Sequence, residues 1–363
     1  MRYARKEKKL IFYLISTFLL ILFIFNQAFS QRPSNRIQSR EIDESNLPEQ
    51  RIPLLNSKLS LRDIPLKIVY ESYQETGGIG NWEICMINAD GSNLINLTNT
   101  PDIDEFYPHA SPDGSKICFE AVEGDSRENR NRNIYFMDID GSRLTKIADN
   151  AYQPCWSGDG KQIAYLKGEY SRYSDSVWSN RGIEIYALKT KEAKQHPNPE
   201  LAMLFNLCWS PDGNWFTATS RARRRGGSNV AFRTNDTTKV PLSIHGCRPD
   251  ISPDGKQLAW SRSDHVLMIG NLDLSSPQDN VTNQKPVIAC LKDYKIYHVD
   301  WSPDGKYLTF SYGPSSGNQA VGRKAAGWNI CVCDLTTGEW IQITSDGKHN
   351  KEPDWVPVRA HRP

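Results

Sequence analysis

Six polar residues recur at one fixed offset in this chain and are the side chains best placed to do chemistry. Tyr107, Gln153, Asn206, Arg248 and His298 each stand four residues before a Ser-Pro-Asp-Gly tetrapeptide or its one-residue variant. Glu352 takes the same place when Glu352-Pro353-Asp354-Trp355 is set beside Gln153-Pro154-Cys155-Trp156. Two residues further on come His109, Cys155, Cys208, Asp250, Asp300 and Asp354. A phenol, two amides, a guanidinium, an imidazole and a carboxylate gathered at one mouth would hold a polar or charged ligand, the guanidinium being suited to bidentate capture of an anion. The histidines offer a second chemistry. If imidazoles at such a mouth converge, His109 and His298 would bind a divalent metal together with a carboxylate or Gln153; otherwise no cofactor is expected. No residue is assigned a catalytic role. Gly313-Pro314-Ser315-Ser316-Gly317 satisfies G-x-S-x-G, but a nucleophile elbow needs a strand, a strained turn and a helix. This one falls in a loop between two strands of one repeat.

The elements that position these residues follow from the tetrapeptide. It begins at Ser111, Ser157, Ser210, Ser252 and Ser302, in steps of 46, 53, 42 and 50 residues, the period of β-propeller blades. Pro sets φ at the second position, and Gly accepts a positive φ at the exit, so each copy is a hairpin turn. Gly158 replaces the Pro in the second copy and should leave that turn less rigid. An apolar strand follows each turn, as in Gln162–Leu166 or Tyr307–Ser311. A further strand then runs into Asp90-Gly91, Asp140-Gly141 or Thr337-Gly338. The first repeat lacks an innermost strand and the chain's end supplies one. The expectation is an all-β, six-bladed propeller of four-stranded blades over residues 66–357, closed by a C-terminal strand that completes the N-terminal blade.

Composition agrees with a globular domain: 38% of residues are hydrophobic, and 44 basic residues stand against 42 acidic ones. Residues 1–30 read as a signal peptide or signal anchor, with a basic start, the apolar run Leu10–Phe25 and the small-x-small site Ala28-Phe29-Ser30. Residues 31–65, with four prolines among polar residues, read as a flexible linker, and residues 358–363 as a tail. The protein is therefore expected to be periplasmic or secreted, or else tethered to a membrane with the propeller outside. Export argues against nucleic acid as a partner, and a monomer is expected. The eight cysteines read mostly as small core fillers in repeat register. Cys155 and Cys208, on innermost strands of neighbouring blades, are the pair with the best claim to a disulfide.

Trp209-Ser210-Pro211-Asp212-Gly213, its sister Trp301–Gly305 and the strands after them resemble the WD-like repeat of TolB-like propellers, over about four-fifths of the chain. The resemblance implies an exported binding module. TolB-type proteins carry an α/β domain before the propeller, which residues 31–65 are too short to form. With the innermost strands starting at the top, the unequal loops between second and third strands lie there too. They carry Arg127, Arg130, Arg132, Arg172, Arg181, Arg221, Arg223, Arg224, Arg225, Arg323 and Lys324, with Tyr170, Tyr173, Trp178 and Trp328 nearby. The expected ligand is accordingly an anionic glycan or an envelope or extracellular protein, bound by the six mouth residues and by Arg223, Arg224 and Arg225. A resemblance to oligogalacturonate lyases, which place a His-rich metal site on a propeller, implies the alternative: a metal-dependent polysaccharide lyase or hydrolase.

Overall fold

The computed structural model describes residues 61, 64–76, 79–124, 131–168, 180–220, 228–315 and 327–357. Within them the chain forms six four-stranded antiparallel sheets and no α-helix. The first sheet has the order β24-β1-β2-β3, in which β24 is His349–Pro357, β1 Leu66–Thr76, β2 Ile79–Asn88 and β3 Ile95–Asn96. The last strand of the chain thus lies innermost in the first blade, with Trp355 opposite Ile68 and Asp354 opposite Val69. The other five sheets each take four consecutive strands. Their innermost strands are β4 (Asp104–Ala110), β8 (Ala151–Trp156), β12 (Leu204–Trp209), β16 (Cys247–Ile251) and β20 (Tyr294–Trp301). The signal segment, the linker and the tail lie outside the described residues. Among the described residues no helix is long and apolar enough to cross a membrane.

The turns form as their residue types require. In each of the five, Gly has a φ between +65° and +74° and its N–H donates to the carbonyl of the turn serine. The serine hydroxyl donates to the Asp carboxylate and accepts the N–H five residues on, at 2.9–3.0 Å. Ser157–Gly160 keeps this geometry without its proline. There is a packing reason for glycine at 158: a Cβ would stand 2.5 Å from the carbonyl oxygen of Pro211 in the next blade.

The second strand of each blade is buried on both faces, because blades pack face to face. In β5 (Lys116–Glu123) all six interior residues are buried. Leu267 and Ile288 of the fifth blade pack with Leu308, Phe310 and Trp340 of the sixth. At the seam Ile68, Tyr70 and Trp355 pack with Ile330 and Val332. All eight cysteines are free, Cys155 and Cys208 included, and six of them are buried.

Candidate functional site at the channel mouth

The innermost strands share one irregularity. Each contains a β-bulge, where two residues face one on the neighbouring strand, and the first of the two is the polar residue picked out by the sequence. All six are left-handed: Tyr107 has φ 51°, Gln153 50°, Asn206 53°, Arg248 61°, His298 58° and Glu352 50°. These residues lie inside their strands rather than at the starts, and the bulge turns all six onto one cavity of about 110 Å³. Proline follows in four of them, at 108, 154, 249 and 353. A proline tolerated in an innermost strand, where a missing N–H would break the ladder, was the available sequence sign of a bulge.

At five of the six bulges the freed N–H is claimed by the preceding blade. Tyr107 donates to Glu71 Oε2 at 2.9 Å and Gln153 to Glu120 Oε2 at 3.2 Å. Arg248 donates to Thr219 Oγ1 at 2.8 Å and Glu352 to Ser311 Oγ at 3.2 Å. Asn206 donates to Gln153 Oε1 at 2.7 Å. The ring of polar residues is therefore also a set of staples between blades.

Four of those staples involve a charged residue, and three ion pairs match the charges. Lys351 Nζ sits 2.7 Å from Glu71 Oε1 and 4.4 Å from the Trp82 ring centre. Arg132 Nε sits 2.9 Å from Glu120 Oε1, with its guanidinium 4.7 Å from the Tyr152 ring. Arg248 Nη1 lies 3.0 Å from Glu352 Oε1 and packs on Tyr297. Burial pushes Glu71 up to about 7 in spite of Lys351, and raises Glu120 in spite of Arg132. Glu352 goes the other way: burial would raise it, yet Arg248 and His298 together hold it down to about 2. His298 Nε2 is 2.7 Å from Glu352 Oε1, and Ser311 Oγ approaches Nδ1 at 2.9 Å. Burial and the nearby Arg248 lower this imidazole to about 3, so it is neutral at pH 7.

A second ring lies two residues further along each strand. Asp354 Oδ2 accepts Ala110 N–H at 2.7 Å, Asp250 Oδ2 accepts Trp301 N–H at 2.9 Å, and Asp300 Oδ2 accepts Trp355 N–H at 3.0 Å. His109 Nδ1 and Cys208 Sγ play the same part for Trp156 and Ile251, both at 3.4 Å. The three aspartates come from consecutive blades, and among the described residues no lysine or arginine pairs with them as with the glutamates; His109 Nε2 stands 3.8 Å from Asp354 Oδ1. Burial, reinforced by their mutual repulsion, raises Asp250 to about 6 and Asp300 well above the ordinary range.

The sequence thus located both rings but missed their support. Glu71 directly follows the apolar run 68–70 and Glu120 interrupts the apolar run 117–122 in their second strands, and that was the signal for them. His109 and His298 belong to different contact sets, one with Asp354 and one with Glu352. Among the described residues no three His, Cys, Asp or Glu side chains are grouped so as to hold a metal ion. His196 and His349 are off the cavity: the first packs on Phe216 and Phe232, the second on Trp82 and Trp328. Arg223, Arg224 and Arg225, and the loop residues Arg127, Arg130, Tyr170, Arg172, Tyr173, Trp178, Arg221, Arg323 and Lys324, lie outside the described residues.

Comparison with known proteins bears on the fold. The structure matches TolB from Acinetobacter baumannii with a TM-score of 0.59 and 18% identity, covering 80% of this chain and 67% of that one. It matches a putative TolB from Agrobacterium tumefaciens with a TM-score of 0.53 and 15% identity, covering 81% of this chain and 99% of that one. The chain is a TolB-like six-bladed β-propeller by fold. By sequence it is 22% identical over 337 residues to dipeptidyl-peptidase 5 of Porphyromonas gingivalis, across 66% of this chain and 47% of that protein. It is 26% identical over 104 residues to the uncharacterized protein Atu1656 of Agrobacterium fabrum, across 26% of this chain and 35% of that protein. The chain spans less than half the length of either curated relative. No family model matches it.

Proposed function

We propose that this propeller is an exported binding module that recognises an envelope or extracellular protein through the mouth of its channel. The observation that carries the reading is the convergence of six side chains, all on left-handed residues, onto one polar cavity. A left-handed conformation at a residue other than glycine costs on the order of 1–3 kcal/mol, and such strain concentrates at binding and switch sites. The charges favour a protein over an anionic glycan. Arg132 and Arg248 are spent on Glu120 and Glu352, while the deeper ring is acidic. The glycan reading rests on Arg223, Arg224 and Arg225 instead.

Tyr107 and Asn206 are half-buried, line the cavity and carry no charge, so changing them tests the mouth with little disturbance to the ion pairs. Affinity capture from an envelope extract with the wild-type propeller and with Tyr107→Ala/Asn206→Ala should retain a partner on the first and lose it on the second. Equal retention by both, or retention of acidic polysaccharide alone, would sink the protein-partner reading.

A further inference from the structure

Among the described residues the acidic inner ring is a part of the channel whose charges no lysine or arginine balances. Asp250, Asp300 and Asp354 each give one oxygen, Oδ2, to a backbone N–H of the next blade. Asp250 and Asp300 have no ion-pair partner among the described residues; the Cys208 thiol shares a hydrogen bond with Asp250, and the imidazole of His109 is the basic group near both Asp354 and Asp250. All three line the same cavity. Gln153 supplies a second, independent sign of a missing ligand. It is 5% exposed, lines that cavity, spends its Oε1 on Asn206 N–H, and leaves its Nε2 with no acceptor. A buried donor without an acceptor is disfavoured, and a ligand oxygen would relieve it.

Resting on the reading of the mouth as a protein-binding site, we propose that the Asp250–Asp300–Asp354 ring receives a primary ammonium group of the partner, with Gln153 Nε2 donating to a carbonyl oxygen beside it. An ammonium carries three donors and no acceptor, which suits three carboxylates that each have one oxygen committed elsewhere. Among the described residues no three such side chains are grouped so as to hold a metal ion, and an ammonium, whose charge-assisted N–H···O bonds span about 2.7–2.9 Å against 2.0–2.6 Å for metal–oxygen bonds, asks for a less tight grouping. The carboxylates that burial drives toward their neutral form would regain their charge against the bound cation. The shared chemistry has two sources in a protein, the chain N-terminus and a lysine side chain.

Three small probes titrated into the unaltered propeller by NMR or calorimetry decide the matter. Glycylglycinamide offers an N-terminal ammonium beside a carbonyl, Nα-acetyl-lysinamide a side-chain ammonium, and N-acetylglycinamide neither. Binding by one or both amines, with none by the acetylated glycine, supports the ring as an ammonium receptor and says which source it takes. If neither amine binds, or all three bind alike, the assignment fails. In Asp250→Asn/Asp300→Asn the amide oxygens still accept the Trp301 and Trp355 N–H groups while two charges vanish, so the fold should persist and amine affinity should fall about tenfold or more. Undiminished affinity in that folded variant would also overturn the assignment. The two readings separate cleanly. Loss of partner capture in Tyr107→Ala/Asn206→Ala without any amine binding removes the ammonium receptor and leaves the protein-binding mouth intact.

Discussion

Arg248 and Glu352 show how tightly the mouth is bound into the fold. Both are largely buried and they face each other across the channel from the fifth and first blades, with His298 of the sixth beside them. A buried pair adds modest net stability, but removing one partner strands the other in a medium that cannot solvate it. Glu352→Gln should therefore cost about 3–5 kcal/mol in urea unfolding, and Arg248→Met added to it should recover most of that loss. A Glu352→Gln protein as stable as the parent would mean the pair is solvated after all. The carboxylates also set opposite pH trends. Glu352, held at about 2, contributes stability that is present above its ordinary value near 4 and is lost as pH falls toward 2. Asp250, raised to about 6, and Glu105, raised by burial to about 9, contribute most below pH 4 and lose that contribution as pH climbs through 6 and 9. Replacing them as Asp250→Asn/Glu105→Gln should flatten the decline of melting temperature between about pH 4 and 9 relative to the parent. A decline of unchanged slope would show that both carboxyls titrate normally.

At the scale of elements, the five turns are alike locally and differ in what lies beyond them. Gly213 has φ 74° and open space where a Cβ would go, so Gly213→Ala pays only for the left-handed backbone, roughly 1–2 kcal/mol. Gly114 has φ 65°, but its Cβ would land 1.8 Å from the carbonyl oxygen of Pro357 at the closing seam. Gly114→Ala should thus be clearly the more destabilising of the two by chemical denaturation. Equal losses would mean that the seam gives way without cost. These turns were legible because Ser, Pro, Asp and Gly each have a local reason to be there. Blade count and closure followed from their spacing and from the orphan strand at Glu352-Pro353-Asp354-Trp355. The bulges were not read, since Tyr, Gln, Asn, Arg, His and Glu share no preference for a left-handed backbone. What holds five of them there is a side chain from the neighbouring blade, such as Glu71 for Tyr107, some 36 residues away in sequence. The offset from the turns picked out six residues that the bulges turn onto one cavity, for a reason the sequence did not display.

For the whole molecule the decisive join is between β24 and β1. β24 supplies Trp355 and Val356 to the interblade core, Asp354 to the N–H of Ala110, Lys351 to Glu71 and Glu352 to Arg248. A ring of blades has no spare edge, so removing this strand exposes the ladder of β1 on one side and strips the first blade of its contact with the channel on the other. It also leaves Glu71 and Arg248 buried without their counter-charges, which adds an electrostatic loss to the lost apolar packing. Deletion of residues 350–363 should therefore abolish the cooperative melting transition rather than shift it. Deletion of 358–363 alone retains all of β24 and should leave that transition near its original temperature. Circular dichroism melting of the two truncations beside the full chain separates the cases. A 350–363 deletion that still melts cooperatively within a few degrees of the parent would mean that five complete blades, and not the closed ring, are what hold the channel open.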